Sequence, residues 1–211
     1  MKPMRIALTK GRLEKEALKL FDSMGMDTST LYNKGRRLIL PVSMPGGVQF
    51  EAVLAKAADV ITYVEHGVCD LGIVGKDIIA EYGGSFYEIL DLGFGKCRFA
   101  LAAPRGSDFF KGYSTKTVAT KYPNVSRGYF DRKGMDIGII KIEGSVELAP
   151  LLDLSNAIID IVETGSTLRE NGLEVIEDIM PVSARLIVNI ACMKLRKSEI
   201  EAFVSKMEEC L

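Results

Sequence analysis

The chain of 211 residues has no tryptophan and a single histidine, His66. One imidazole excludes an HExxH zinc helix and a Cys2His2 site, and a Ser–His or Cys–His couple would have to be built on His66 itself. Four cysteines, Cys69, Cys97, Cys192 and Cys210, are scattered without a CxxC pair. They read as reduced thiols in core or surface positions rather than as ligands or a disulfide framework. No apolar run approaches the ~20 residues of a membrane span. The N-terminal Met1-Lys2-Pro3-Met4-Arg5 leads straight into an apolar strand with no signal-peptide core, so the expectation is a cytoplasmic protein off the membrane. Charge of one sign is also missing: 27 basic and 28 acidic residues leave a net −1. The chain as a whole therefore offers no electrostatic footprint for nucleic acid, although a few local cations can still hold an anion. Neither GxxxxGK[ST] nor GxGxxG occurs, since Gly93-Phe94-Gly95 lacks the third glycine.

What remains is ordinary globular composition, 47% apolar and 26% charged, in a chain long enough to bury roughly 70% of its extended surface. Short apolar runs alternate with amphipathic stretches, the pattern of α/β architecture with parallel strands. Arg5–Thr9, Leu38–Val42, Cys69–Val74, Thr117–Thr120, Ile137–Ile142, Ala157–Val162, Val175–Ile179 and Arg185–Ala191 read as strands. Leu13, Ala17, Leu20, Phe21 and Met24 share one helical face, with Gly25 placed for a left-handed cap. Asp59 and Asp77 are expected to cap further helices, Gly134 to stop one over Ser126–Lys133, and Ser198–Cys210 to form the last. Ten or so strands suit two small α/β lobes better than one sheet. We expect one lobe at 1–95 plus about 188–211, the other at 96–187, and a ligand site in the cleft between them.

The most specific segment is Ile158 to Leu168, where a buried strand carrying Asp160 runs through Glu163 into Thr164-Gly165-Ser166-Thr167 and opens a helix. Amides at a helix start, with the hydroxyls of Thr164, Ser166 and Thr167, suit a phosphate dianion. Gly165 allows close backbone approach, while Asp160 and Glu163 can accept from ribose hydroxyls. Together these describe a 5-phosphoribosyl site; the plainer alternative is a strand-to-helix turn whose Thr167-Leu168-Arg169-Glu170 forms a capping box. Lys10 and Arg12, flanking Gly11 after the first strand, can clamp a polyphosphate at a strand C-terminal edge. Equally, they can be two exposed cations beside a turn. Glu143-Gly144-Ser145 offers a second helix-start pocket. Asp70 and Asp91 stand at strand ends, where acids are commonly only turn residues, and His66 reads as an exposed helix-end residue.

At these residues the chain resembles the short form of the ATP phosphoribosyltransferase family. The matching stretches, in family order, are Ala7 to Leu13, Tyr63 to Asp77, Ala119 to Asn124, Glu143 to Glu147 and Ile158 to Leu168. Where the family usually has Gly-Leu-Ala-Asp, this chain has Asp153-Leu154-Ser155-Asn156, which puts an ionic role at Asn156 in doubt but leaves Asp160 and the loop intact. The resemblance implies a two-lobed fold like that of type II periplasmic binding proteins, with the active site in the inter-lobe cleft. It implies condensation of ATP, through adenine N1, with phosphoribosyl pyrophosphate in the first step of histidine biosynthesis. Mg²⁺ is implied as cofactor, bound mainly through the substrate pyrophosphate rather than by protein metal ligands. Lys10, Arg12 and Asp160 become the candidate catalytic residues. Glu163, Thr164, Gly165, Ser166, Thr167, Glu143, Gly144, Ser145, Asp70 and Asp91 become the candidate substrate contacts. A histidyl-tRNA-synthetase-like regulatory subunit, a homodimer within that hetero-oligomer, and no C-terminal regulatory domain are further expectations. A non-catalytic two-lobed module that binds an anion or solute is the alternative in a different class.

Overall fold

The computed structural model describes residues 2–46, 49–112 and 114–211. The chain divides into two compact units, Met1–Gly95 with Ser183–Leu211, and Lys96–Val182. The first unit opens with β1 (Met4–Thr9), α1 (Arg12–Ser23), α2 (Ser29–Tyr32), β2 (Ile39–Ser43), β3 (Gln49–Ala55), α3 (Ala57–Glu65), β4 (Leu71–Gly75), α4 (Lys76–Tyr82) and β5 (Phe86–Asp91). The second holds β6 (Cys97–Pro104), β7 (Lys116–Thr120), α5 (Pro123–Arg132), β8 (Ile137–Lys141), α6 (Leu148–Leu151), β9 (Ala157–Val162), α7 (Ser166–Glu170) and β10 (Leu173–Val182). The chain then returns through β11 (Ala184–Asn189), α8 (Ile190–Leu195) and α9 (Lys197–Glu208). All of β11 belongs to the first unit, because Ala184–Val188 pairs with Leu71–Gly75 of β4; the return therefore falls at Ser183 rather than near 188.

Among the described residues the first sheet has the order β2-β3-β1-β4-β11-β5 and the second β10-β6-β9-β7-β8. Both are mixed, which corrects the expectation of parallel strands. β1 is parallel to β3 and β4, and β7 to β8 and β9, whereas β2, β11, β6 and β10 pair antiparallel. Hydrophobic alternation shows which face a residue takes, but strand direction is decided by pairing with distant segments.

That alternation is visible in the first sheet. Ile6, Leu8, Leu186 and Val188 face a core shared with α1 and α9, where Phe50 and Phe203 ring centroids lie 5.1 Å apart. Ala7 and Ile187 face Val60, Ile61 and Val64 of α3 on the opposite side. Strands β3, β5 and β6 have no counterpart among those read from the sequence. In β6, alanines at 100, 102 and 103 dilute the β signal, yet all are buried because the strand lies between β10 and β9. Asp59 and Asp77 lie inside the first turns of α3 and α4, whose N-cap positions are Lys56 and Gly75, so neither acid is the cap expected. No helix among the described residues is long and apolar enough to cross a membrane.

Candidate functional site

The segment after β9 forms a hollow of about 260 Å³ lined by Glu147 and by Ile161 through Thr167. Gly165 sets its shape. It is the N-cap of α7 at φ 72° and ψ 12°, a left-handed conformation that glycine takes without a Cβ penalty. The chain therefore turns into the helix at Gly165 rather than at Thr167, and the expected capping box is absent: Thr167 is already helical and α7 has no side-chain cap. Thr164 closes the turn instead. Its Oγ1 lies 3.1 Å from Ser166 Oγ and accepts from the Ser166 amide at 3.4 Å, while its carbonyl accepts from Arg169 Nη1 at 3.0 Å. No lysine or arginine lines this hollow among the described residues. Its donors are amides and hydroxyls, with two carboxylates beside them.

Because Thr167 caps nothing, Thr167→Ala should change unfolding free energy by less than about 0.5 kcal/mol. It should still weaken binding of a phosphorylated ribose about tenfold, the worth of one hydrogen bond. Thermal melts beside ligand titrations read the two separately; equal losses in both would put Thr167 in the fold and not in the site.

Asp160, half-buried on β9, lies just before the hollow and not in its lining, with Oδ1 accepting from the Ile161 amide at 2.8 Å. Upstream, Asn156 Oδ1 accepts from the Thr117 amide at 2.8 Å and from its hydroxyl at 3.2 Å. A carboxylate accepts both equally well, so Asn156→Asp should melt within a degree or two of the parent, the shift of ~0.5 kcal/mol in a chain this size. A drop of ten degrees would contradict the acceptor role. Glu143, Gly144 and Ser145 precede α6, which starts only at Leu148 with Glu147 as its N-cap position, so they do not form the helix-start pocket expected. Glu143 is exposed, and the Lys141 ammonium bonded to it at 2.7 Å holds its carboxyl below the usual carboxylate range. Glu147, which the sequence did not single out as a contact, is the residue of that stretch that reaches the hollow.

A second hollow, of about 700 Å³, lies in the first unit. Six cations line it, Lys10, Lys15, Lys19, Lys34, Arg36 and Arg37, against one carboxylate, Glu14. Lys10 is exposed at the C-terminal end of β1, its amide bonded to Ala55 O at 2.9 Å. Gly11 turns the chain at φ 100° into α1, so the amide end of a twelve-residue helix stands beside the cations. Arg12, the first residue of α1, is exposed but is not part of this lining. Lys34, Arg36 and Arg37 were absent from the sequence candidates; nothing local marks a turn between α2 and β2 as the neighbour of Lys10.

The strand-end acids have structural work. Asp70 precedes β4, which is parallel to β1, so it sits at the sheet edge opposite to Lys10. Its Oδ2 accepts from the Arg5 amide at 2.7 Å and its Oδ1 faces Arg196 Nη1 at 3.5 Å. Asp91, at the C-terminal end of β5, accepts from Gly93 N at 3.0 Å and Ser183 Oγ at 2.8 Å, and pairs with Arg185 at 2.9 Å. His66 ends α3 as an exposed residue, its Nδ1 3.0 Å from Thr62 O. Burial pushes the thiols of Cys69 and Cys192 up to about 11, so both stay protonated and unreactive at neutral pH.

The family described as ATP phosphoribosyltransferase matches residues 56–209 of the chain. An ATP phosphoribosyltransferase of Clostridium kluyveri (strain NBRC 12016) is 58% identical over 205 residues, covering 97% of this chain and 92% of that protein. One from Clostridium botulinum (strain 657 / Type Ba4) is 53% identical over 211 residues and all of both chains. Among solved structures, the ATP phosphoribosyl transferase (HisG:HisZ) complex from Thermotoga maritima contains a chain that matches with a TM-score of 0.81 and 32% identity over 98% of each. The periplasmic aliphatic sulphonate binding protein SsuA of Escherichia coli matches with a TM-score of 0.60 at 13% identity, over all of this chain and 72% of that one, a likeness of fold alone. The two-lobed α/β fold is thus shared with both.

Proposed function

This chain belongs to the ATP phosphoribosyltransferase family, the glycosyltransferases that open histidine biosynthesis, and from that premise we propose how its residues divide the reaction. The observation that carries the division is the contrast between the two hollows: one lined by amides and hydroxyls, the other by six cations. The loop Thr164–Thr167 holds the 5-phosphate of phosphoribosyl pyrophosphate, whose two charges are met by amides without a lysine clamp. Glu163, Glu147 and Asp160 accept from its ribose hydroxyls. The cationic hollow with Lys10 takes polyphosphate, and Arg12 at the same strand end adds to its field.

Adenine N1 of ATP forms the new bond to ribose C1 as the bond from C1 to the pyrophosphate oxygen breaks, and the electron pair leaves with pyrophosphate. Positive charge on the sugar and negative charge on the leaving group both peak in the transition state. The residues therefore act by positioning and by fixed charge rather than as a dedicated base. Among the described residues no group of three or more His, Cys, Asp and Glu side chains is arranged to hold a metal ion by itself. Mg²⁺ would arrive on substrate phosphates and take one or two carboxylates into its shell; Glu147 and Glu163, the carboxylates beside the phosphate hollow, would supply them. When bound, the ion offsets leaving-group charge.

The Thermotoga maritima relative was solved as a HisG:HisZ complex, which supports a HisZ-type partner for this chain. The family resemblance, not that complex, is the ground for proposing that the partner is a histidyl-tRNA-synthetase-like regulatory subunit, that this chain is a homodimer within the assembly, and that it works in the cytoplasm. The test is incubation of the full chain with ATP, phosphoribosyl pyrophosphate and Mg²⁺, with and without a HisZ-type partner, followed by chromatography. Phosphoribosyl-ATP and pyrophosphate in equal amounts are expected. Ligand binding without any product in either arm would favour a binding module instead.

A further inference from the structure

Glu14 is the one carboxylate among the six cations of the larger hollow, and it is buried, with 4% of its surface exposed. It occupies the third position of α1, where its Oε2 accepts from the Gly11 amide at 3.4 Å. Helix starts commonly use a glutamate in this way, and one oxygen suffices for it. The other oxygen, Oε1, pairs with Lys34 Nζ, twenty residues along the chain. Lys34 in turn opens a tight turn. Its carbonyl accepts from the Arg37 amide at 3.1 Å and from Arg37 Nε at 3.3 Å, and Arg37 Nη2 donates to Asn33 O at 3.0 Å.

The ion pair therefore fastens the turn that carries Arg36 and Arg37 to the helix that follows Lys10. Without it, six like charges repel and the turn has no charged tie to α1 among these contacts. We infer that Glu14 is a positioning residue for polyphosphate binding: its buried carboxylate holds Lys34, and through it the Lys34–Arg37 turn, against the Lys10 end of β1. The inference rests on the polyphosphate reading of this hollow and adds a residue that no phosphate touches.

The sign of one substitution separates positioning from plain electrostatics. Removing a negative charge from an anion site should tighten anion binding if Glu14 only adds to the field. Loss of positioning predicts the reverse. Glu14→Gln keeps an acceptor for the Gly11 amide and the side-chain shape, so the helix start survives. Titration of the full-length chain with inorganic pyrophosphate should show Glu14→Gln binding about tenfold more weakly than the parent, as if one charge-assisted contact had been lost. Lys34→Gln should lose a similar factor, and the double variant should be no worse than Lys34→Gln alone. In turnover, Glu14→Gln should raise KM for ATP and keep kcat, the mark of lost ground-state binding. Pyrophosphate affinity in Glu14→Gln equal to or tighter than the parent overturns the inference. Arg36→Ala is the control. If it weakens pyrophosphate binding and Glu14→Gln does not, positioning alone fails; if Arg36→Ala also leaves binding unchanged, the polyphosphate site fails and positioning goes with it.

Discussion

Replacing Lys10 and Arg36 together with alanine should raise the apparent constants for ATP and pyrophosphate by about a hundredfold or more. Each side chain lines the cationic hollow from a different segment of the first unit. A hydrogen bond to a charged group is worth roughly 1.5–3 kcal/mol, so two lost contacts exceed a factor of one hundred even if they add imperfectly. Folding should be spared, because both side chains are exposed and their removal relieves repulsion among neighbours. Steady-state kinetics at several salt concentrations give a second reading. Parent binding should weaken as salt screens the hollow, and the double variant should respond with a flatter slope. Unchanged constants in a protein that melts like the parent would remove polyphosphate from this hollow.

Gly165→Ala should lower affinity for phosphoribosyl pyrophosphate by well over tenfold at a modest cost in stability. The left-handed conformation at Gly165 costs an alanine roughly 1–2 kcal/mol. An added Cβ would lie 3.3 Å from Arg169 Nη1, so the guanidinium must shift from its 3.0 Å bond to Thr164 O. The melting temperature should fall by about 2–8 °C, the thermal equivalent of that strain in a chain this size. Binding suffers more, because the amides that meet the phosphate are the ones the turn aims. Gly165→Asn separates the causes, since asparagine tolerates this backbone region but places a side chain beside the hollow. It should melt close to the parent and still bind poorly. A Gly165→Ala protein with parental affinity would mean that the phosphate sits elsewhere.

The Thr164–Thr167 turn was legible before any fold because its determinants are local. Ile158 to Leu168 contains most of the strand, the turn glycine, the hydroxyls and the start of the helix within eleven consecutive residues. Even there one detail escaped. The S/T-x-x-E spacing at Thr167 is real, but Gly165 bends the chain into α7 before Thr167 can cap it. The cationic hollow was half-legible. Lys10 is marked by the strand-turn-helix pattern around it, whereas Lys34, Arg36 and Arg37 share its hollow only in the folded chain, where Lys34 pairs with Glu14 of α1. Asp70 went the other way. As a strand-end acid it looked equivalent to Asp91, and strand direction put it on the sheet edge opposite to Lys10.

By itself the sequence determined the α/β class, the glycine and hydroxyl turn that follows β9 and, through the resemblance of motifs in fixed order, the family. The class and the turn rest on periodicity and turn chemistry, which neighbouring residues settle among themselves, whereas the family rests on the resemblance alone. Tertiary structure alone decided that both sheets are mixed, that alanine-rich β6 lies within the second sheet, which sheet edge each acid occupies, and which cations share a hollow. The physical reason is that strand direction and order follow from pairing between distant segments, whose free energy no local stretch of residues contains.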